Sequence, residues 1–249
     1  MNLKNQIQRT DLEYGTVFLV DKPLEWTSFD VVAKIRGILR QVLKVRKHKV
    51  GHAGTLDPRA SGLLIVCTGK MTKKIHLYQD MPKEYTGTIT LGGTTPSYDL
   101  EMPVDKVFPV EHITPEKMDR ARRSLMGEIL QEVPLYSAVK VGGRRLYDWA
   151  RKGEEVILKS RHVFVHEFEI DIQNFPNIGF RIVTSKGTYI RAIAHDFGRL
   201  LNSGAYLSEL RRTKIGEYSV DDAWSLEELT EALWRSNLSE KTDDNGDYS

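Results

Sequence analysis

The segment GHAGTLDPRASGLL, Gly51 to Leu64, sets one carboxylate, Asp57, in a stretch of Gly, Ser, Thr and Pro. The run before it, Val31 to Val50, carries seven Lys or Arg and no Asp or Glu. A lone carboxylate in such a loop has two readings. Asp before Pro is a common turn former, because its side chain bonds nearby backbone amides. Held ionised and reachable, the same group serves as a nucleophile or a base. A cation close by would favour the charge and fix its orientation. Loops carried on a rigid scaffold are frequent seats of such residues. These residues alone leave both readings open.

Other chemistries find little support. There is no phosphate-cradling GxxxxGK[ST], no GxGxxG after a strand and no GxSxG elbow. His162 and His166 are four apart on an alternating stretch, without the three or four converging ligands that a metal requires. The single cysteine, Cys67, excludes an internal disulfide and a Cys-based zinc site. Inside LLIVC it reads as a buried core residue. An Asp-nucleophile phosphotransfer enzyme would need a metal-binding acid cluster near Asp57, and none is visible in the sequence.

The elements that must position Asp57 follow from periodicity. GTVFLV, Gly15 to Val20, reads as a buried strand. Thr27 or Ser28 can cap a helix in which Phe29, Val32, Ile35 and Leu39 fall at helical spacing. Gly51 to Gly62 reads as a loop, Leu63 to Cys67 as a strand and Lys70 to Gln79 as a helix. Lys83 to Leu91 alternates as a half-buried strand. A helix begins after Thr114 with Pro at its first position. His162 to Ile172 alternates with a slip after Val165 that suggests a bulge, and Gly179 to Thr184 is its expected antiparallel neighbour. Helices are expected over Tyr189 to Leu201 and Leu226 to Trp234. The glycine pairs at 92–93 and 142–143 look like turns. Helices mixed with antiparallel-looking strands predict an α+β fold, a mainly antiparallel sheet flanked by helices and loops. One domain is expected over residues 12–236. Residues 134–161 form a basic insertion able to stand off the core, and 237–249 form an acidic tail expected to be disordered.

Bulk properties set limits on partners. The chain has 249 residues, 40% hydrophobic and 28% charged, as in soluble globular proteins. No apolar run is long enough to cross a membrane, and the N-terminus lacks the apolar core of a signal peptide, so a cytoplasmic location is expected. Net charge is only +2, but basic residues gather in VVAKIRGILRQVLKVRKHKV, KVGGRRLYDWARKG and LRRTKIG. Such clusters with aromatics nearby are the footprint of a nucleic-acid binder; solvated helix faces are the plainer alternative. Nothing marks an apolar partner surface, so a monomer is expected.

Six motifs in order resemble one family. GHAGTLDPRASGLL is similar to the catalytic motif of the tRNA pseudouridine synthase B (TruB) family. DKPLEWTS (Asp21 to Ser28) resembles its N-terminal motif, and KEYTGTITLGGTTPSYD (Lys83 to Asp99) its tyrosine motif. VPLYSAVKVGGRRLYDWARKG (Val133 to Gly153) resembles its RNA-gripping insertion. SKGTYIRAIAHDFGRLL (Ser185 to Leu201) resembles its arginine motif, and AYLSELRRTKIG follows in the expected place. The match covers about residues 15 to 216.

The resemblance implies the pseudouridine synthase fold and an isomerase that detaches uracil from its ribose, turns it and rejoins it through carbon. No cofactor and no metal are implied. The implied substrate is uridine 55 in the T loop of tRNA, recognised through the T arm and flipped out of the loop. Binding of this kind would also assist tRNA folding. Asp57 is the implied catalytic aspartate, and Arg191 its partner. Tyr85 is implied to stack on the target base, and Tyr189 and Leu210 to line the uracil pocket. His52 is implied to contact the RNA beside the flipped base. Lys22 and Lys73 fall where the family places lysines near the active site or backbone. Lys140, Arg144, Arg145, Arg151 and Lys152 lie in the insertion that the family closes over tRNA. Three departures stand out. Glu25 replaces a usual Gly, Ser61 and Ser97 replace Thr, and only about thirty residues follow Gly216. The last is too short for the small β-rich domain that many bacterial members carry there.

Overall fold

The computed structural model describes residues 7–137, 140–146, 149, 156, 158 and 160–236. The chain divides into two compact units, Met1–Met81 with Arg211–Ser249, and Pro82–Leu210. The acidic tail 237–249 lies outside the described residues.

In the first unit the strand order is Trp224–Ser225, Val17–Lys22, Ala60–Thr68 and then the C-terminal end of the strand Ala205–Ile215. Val17–Lys22 runs antiparallel to Ala60–Thr68, with Val20 opposite Leu64, and parallel to Trp224–Ser225. The two central strands are apolar on both faces, which explains the unbroken run LLIVC. Phe18, Val20, Leu64 and Val66 pack against Val31, Ile35 and Leu39 of the helix Ser28–Val42 and Leu229 and Leu233 of the helix Leu226–Arg235. Leu19, Leu63, Ile65 and Cys67 pack on the other face with Ile215 and Tyr78. Cys67 is buried as a free thiol, and burial pushes its pKa up to about 11.

Thr27 is the cap of Ser28–Val42: its hydroxyl accepts from Asp30 N (3.0 Å) while Asp30 Oδ2 accepts from Thr27 N (2.9 Å), a capping box. Phe29 departs from the expected apolar stripe and is 64% exposed. It lies six residues from Ile35, about 120° round the helix at 3.6 residues per turn. The Arg36 guanidinium sits 5.7 Å from its ring centroid instead.

In the second unit the order is the N-terminal end of Ala205–Ile215, then Lys83–Leu91, Asn177–Thr184, Ser160–Asp171 and Gly127–Glu132. The last three pairings are antiparallel. The expected bulge is present, as a register shift between Val165 and Glu167. Ile89, Val163, Val165, Phe168, Ile178 and Ile182 are buried, as are Ile193 and Phe197 of the helix Ile190–Leu200. Phe168 meets Phe197 edge-on, centroids 6.1 Å apart. The fold is therefore α+β with a mainly antiparallel sheet, as the sequence predicts.

Local corrections are few. The loop read over Gly51 to Gly62 is shorter, because Val50–His52 and Ala60–Thr68 pair with each other, Gly51 opposite Cys67. The segment read as one helix from Lys70 is a 3-10 turn, Gly69–Lys74, followed by a short α-helix, Ile75–Asp80. Gly142 and Gly143, with φ of 61° and 82°, turn a small hairpin between Lys140–Val141 and Arg144–Arg145; positive φ at both central residues suits glycine. No helix among the described residues is long and apolar enough to cross a membrane.

Candidate functional site

Asp57 lies in the loop between the strands Val50–His52 and Ala60–Thr68. Its carbonyl accepts from Ala60 N (3.0 Å), closing a turn with Pro58 at the second position, where its fixed φ fits. The turn reading is thus correct for the backbone. It leaves the side chain half-buried. The residues on either side are held. Ser28 Oγ accepts from Leu56 N (2.9 Å) and donates to Leu56 O (3.1 Å). Arg212, 1% exposed, donates from Nε to Leu63 O (2.7 Å) and from Nη2 to Gly54 O (3.0 Å).

This burial corrects the reading of LRRTKIG as a surface footprint. Arg212 is an internal brace. Arg211 is committed to Asp21 in a bidentate pair, at 3.1 and 2.7 Å, and also donates to Ser61 Oγ (3.3 Å). Of the other clusters, Arg40, Lys44, Arg46, Lys47 and Lys49 are exposed and remain available to an anionic partner. In the insertion, the Arg144 guanidinium stacks 3.9 Å from the Trp149 ring centroid. Arg151 and Lys152 lie outside the described residues, as do the side chains of Lys140 and Arg145.

Arg212→Met is expected to fold but to lose about 2–4 kcal/mol, because two buried carbonyls lose their donors. Urea denaturation of the full chain measures this. An unchanged midpoint would mean that Arg212 is not a brace.

Glu25 stands at φ 65°, the left-handed region that glycine occupies without cost. Its N–H donates to Pro58 O (2.9 Å), and its carboxylate takes Arg59 Nη1 at 2.9 Å. Both side chains are exposed, so the ion pair is worth about 0–1 kcal/mol. The backbone bond, which any residue could make, ties the two loops.

Lys22 is 0% exposed. Its Nζ donates to Pro23 O (2.8 Å) and Trp26 O (2.6 Å). Burial pushes its pKa down to about 8; Asp57 opposes this most strongly, Arg212 adds to it, and Glu25 and Asp21 oppose it. Lys22 and Asp57 are therefore brought into electrostatic contact. His52 stands on the strand Val50–His52, opposite Val66. Burial lowers its pKa first, and the charge of Arg212 lowers it further, so its ring is neutral at pH 7. Lys73 is exposed at the end of the 3-10 turn.

The remaining residues belong to the second unit. Tyr85 is 9% exposed on the strand Lys83–Leu91, opposite Ile182. Leu210 is half-buried on Ala205–Ile215. Tyr189 is the N-cap of the helix Ile190–Leu200. Its N–H donates to Gln131 Oε1 (2.8 Å), and its carbonyl accepts from Gln131 Nε2 (3.0 Å). Guanidinium groups of Arg161 and Arg191 lie 4.5 and 6.0 Å from its ring centroid.

Arg191 is 4% exposed. Nη1 donates to Ser97 O (2.9 Å), Nη2 to Tyr136 O (3.1 Å), and Nε lies 3.5 Å from Asp99 Oδ2. Two carbonyls thus fix the plane of the guanidinium, and a buried carboxylate supplies a counter-charge beside Nε. Sequence reading missed Arg212 as a brace of the loop that carries Asp57, and Ser97 and Asp99 as the partners of Arg191. Asp99 stood inside a quoted motif, but nothing local marks it as the buried partner of a residue 92 positions later.

Among the described residues no three His, Cys, Asp or Glu side chains converge as metal ligands would. The model of the family described as TruB family pseudouridylate synthase (N terminal domain) matches residues 40–190. A model of the tRNA pseudouridylate synthase B C-terminal domain matches residues 191–244, starting within the helix Ile190–Leu200. A match to a family C-terminal domain therefore falls within this chain, on residues that include Arg191 and the final helix. A tRNA pseudouridine synthase B of Flavobacterium johnsoniae is 51% identical over 220 residues, 88% of this chain and 96% of that protein. One from Phocaeicola vulgatus is 50% identical over 226 residues, covering 91% and 96%. Among solved structures, a chain of a Cbf5–Nop10–Gar1 complex superposes with a TM-score of 0.66 at 29% identity, over 91% of this chain. This chain spans 57% of that one.

Proposed function

The chain belongs to the TruB family of pseudouridylate synthases, and from that premise we propose that it converts uridine 55 in the T loop of tRNA to pseudouridine, with Asp57 as the catalytic residue. The observation that carries the reading is where Asp57 stands. It lies inside the matched span, half-buried on a turn, with its neighbours pinned by Ser28 and by a fully buried arginine. That is the setting a reagent group requires: a fixed backbone and a reachable side chain.

In this proposal the T arm is gripped by phosphate contacts, which position RNA without reading sequence, and the uridine is extruded at a cost of a few kcal/mol. Tyr85 stacks on the extruded base, an interaction of about 1–3 kcal/mol. Tyr189 and Leu210 line the uracil pocket. Arg191 pairs with the Asp57 carboxylate, and its own anchoring on Ser97, Tyr136 and Asp99 supports that role, since a guanidinium already fixed loses little freedom on pairing. His52, neutral, contacts the RNA beside the extruded base. Lys22 acts electrostatically on Asp57. Lys73, exposed, is offered as a backbone contact. Binding with extrusion remodels the T loop whether or not chemistry follows, so assistance with tRNA folding is part of the proposal. The chain is proposed to act as a cytoplasmic monomer, without metal or cofactor.

The test is incubation of the purified protein with unmodified tRNA and mass-spectrometric mapping of pseudouridine. Product at position 55 supports the reading. Product only at another position would redirect the substrate assignment, and none at all would remove the activity.

Lys22 yields a pH prediction. Its folded pKa of about 8 lies below the ordinary 10.5. The ammonium beside Asp57 is therefore present below pH 8 and lost as pH rises through about 8, and turnover should fall with it. The contribution of Lys22 to stability moves the other way. Between about 8 and 10.5 the unfolded chain holds this proton more tightly, so that contribution rises with pH. An alkaline loss of rate in wild type, missing from the flatter and lower profile of Lys22→Met, is the expected result. The same alkaline limb in both proteins would remove Lys22 from the mechanism.

A further inference from the structure

The loop Thr95 to Asp99 and the helix Ile190–Leu200 meet at two levels. At the first, Arg191 donates to Ser97 O and faces the Asp99 carboxylate. One turn along the same helix face, His195 stacks on Tyr98, with ring centroids 4.0 Å apart and planes 16° apart. Tyr98 is thus the residue between the two that hold Arg191. Its φ is 65°, a left-handed conformation that a non-glycine residue adopts only when its surroundings impose it. The surroundings here are specific. Tyr98 N donates to Thr95 O (3.1 Å), Leu207 N donates to Tyr98 O (2.9 Å), and Thr95 Oγ1 closes the loop on Asp99 O (2.6 Å).

Two further features say that the stack matters as a stack. His195 Nδ1 is buried without a hydrogen-bond partner, so this nitrogen is not what holds the ring in place. Beside the pair lies a cavity of about 410 Å³, lined by Thr95, Phe108, Ser203 and Gly204 as well as the two rings. The loop therefore has space to relax into if the ring contact is lost.

We propose that the Tyr98–His195 stack is a positioning device for Arg191: it holds the strained loop in the one arrangement that presents Ser97 O and Asp99 to the guanidinium. The inference rests on the proposed role of Arg191 beside Asp57. Tyr98 and His195 are positioning residues and need touch no substrate.

The test uses the full chain and unmodified tRNA, with single-turnover rates at saturating enzyme and affinity by filter binding. Tyr98→Phe and His195→Phe keep two stacked rings and should stay within about twofold of wild type. Tyr98→Ala, Tyr98→Gly and His195→Ala should lose about ten- to a hundredfold in rate, the scale of a misplaced catalytic group, with affinity little changed. Tyr98→Gly separates the stack from the backbone, because glycine removes the strain and also the ring. Wild-type rates in Tyr98→Gly would overturn the proposal, as would wild-type rates in His195→Ala. A loss of affinity matching the loss of rate would also overturn it, by showing a binding defect. If Tyr98→Ala fails to fold by circular dichroism, His195→Ala decides alone. Absence of product from wild type would overturn the underlying reading and this inference together; product in wild type confines any failure to the stack.

Discussion

Asp57→Asn is expected to abolish pseudouridine formation, by about 10⁴-fold or more, while tRNA affinity stays within a few-fold of wild type. The substitution is nearly isosteric. The turn made by the Asp57 carbonyl and Ala60 N uses only backbone, and the braces from Ser28 and Arg212 act on neighbouring residues. The loop should therefore keep its shape. What is lost is the negative charge to which the proposal assigns attack on the sugar or base or removal of a sugar proton. Mass-spectrometric mapping reads the product, and filter binding reads the affinity. Residual turnover near the wild-type rate would show that Asp57 is not the reagent. A parallel collapse of binding would show a role in RNA recognition.

Arg191→Lys should lower the single-turnover rate by about a hundredfold with little change in affinity. A lysine keeps the positive charge but not the planar fork. Ser97 O, Tyr136 O and the Asp99 carboxylate are each placed for a different atom of the guanidinium. An ammonium cannot satisfy all three in the same place, and a misplacement of about 1 Å is enough for a loss of this size. Asp99→Asn should move in the same direction, since it removes the buried counter-charge and leaves Arg191 less well compensated. Near-normal rates in Arg191→Lys would mean that charge alone suffices.

The legible parts of this protein were those governed by local pattern. Val17–Lys22, Lys83–Leu91 and Ser160–Asp171 announced themselves by runs of apolar or alternating residues, and the Thr27 cap by its hydroxyl ahead of Asp30. The strand Ala205–Ile215 was missed because its apolar residues are interrupted by Glu209, Arg211, Arg212 and Lys214, and alternation is unreadable when a long cation, Arg212, occupies an inward position. Gly127–Glu132 pairs only along Ser160–Asp171 among these strands, so just one of its residues, Gln131, is deeply buried. An apolar pattern was never required there.

By itself the sequence determined the α+β class and the motif order that marks the family, because each is written in residues close together along the chain. Only the tertiary structure decided which charges are buried braces and which stay exposed. Arg211, Arg212 and Lys22 look alike in a list of basic residues, yet one is bound to Asp21, one is sealed beneath the loop and one is buried beside Asp57 with a lowered pKa. The strained Tyr98 and its partner His195 are 97 positions apart. Burial, partner choice and backbone strain depend on what the rest of the chain places nearby, and no window of local sequence contains that.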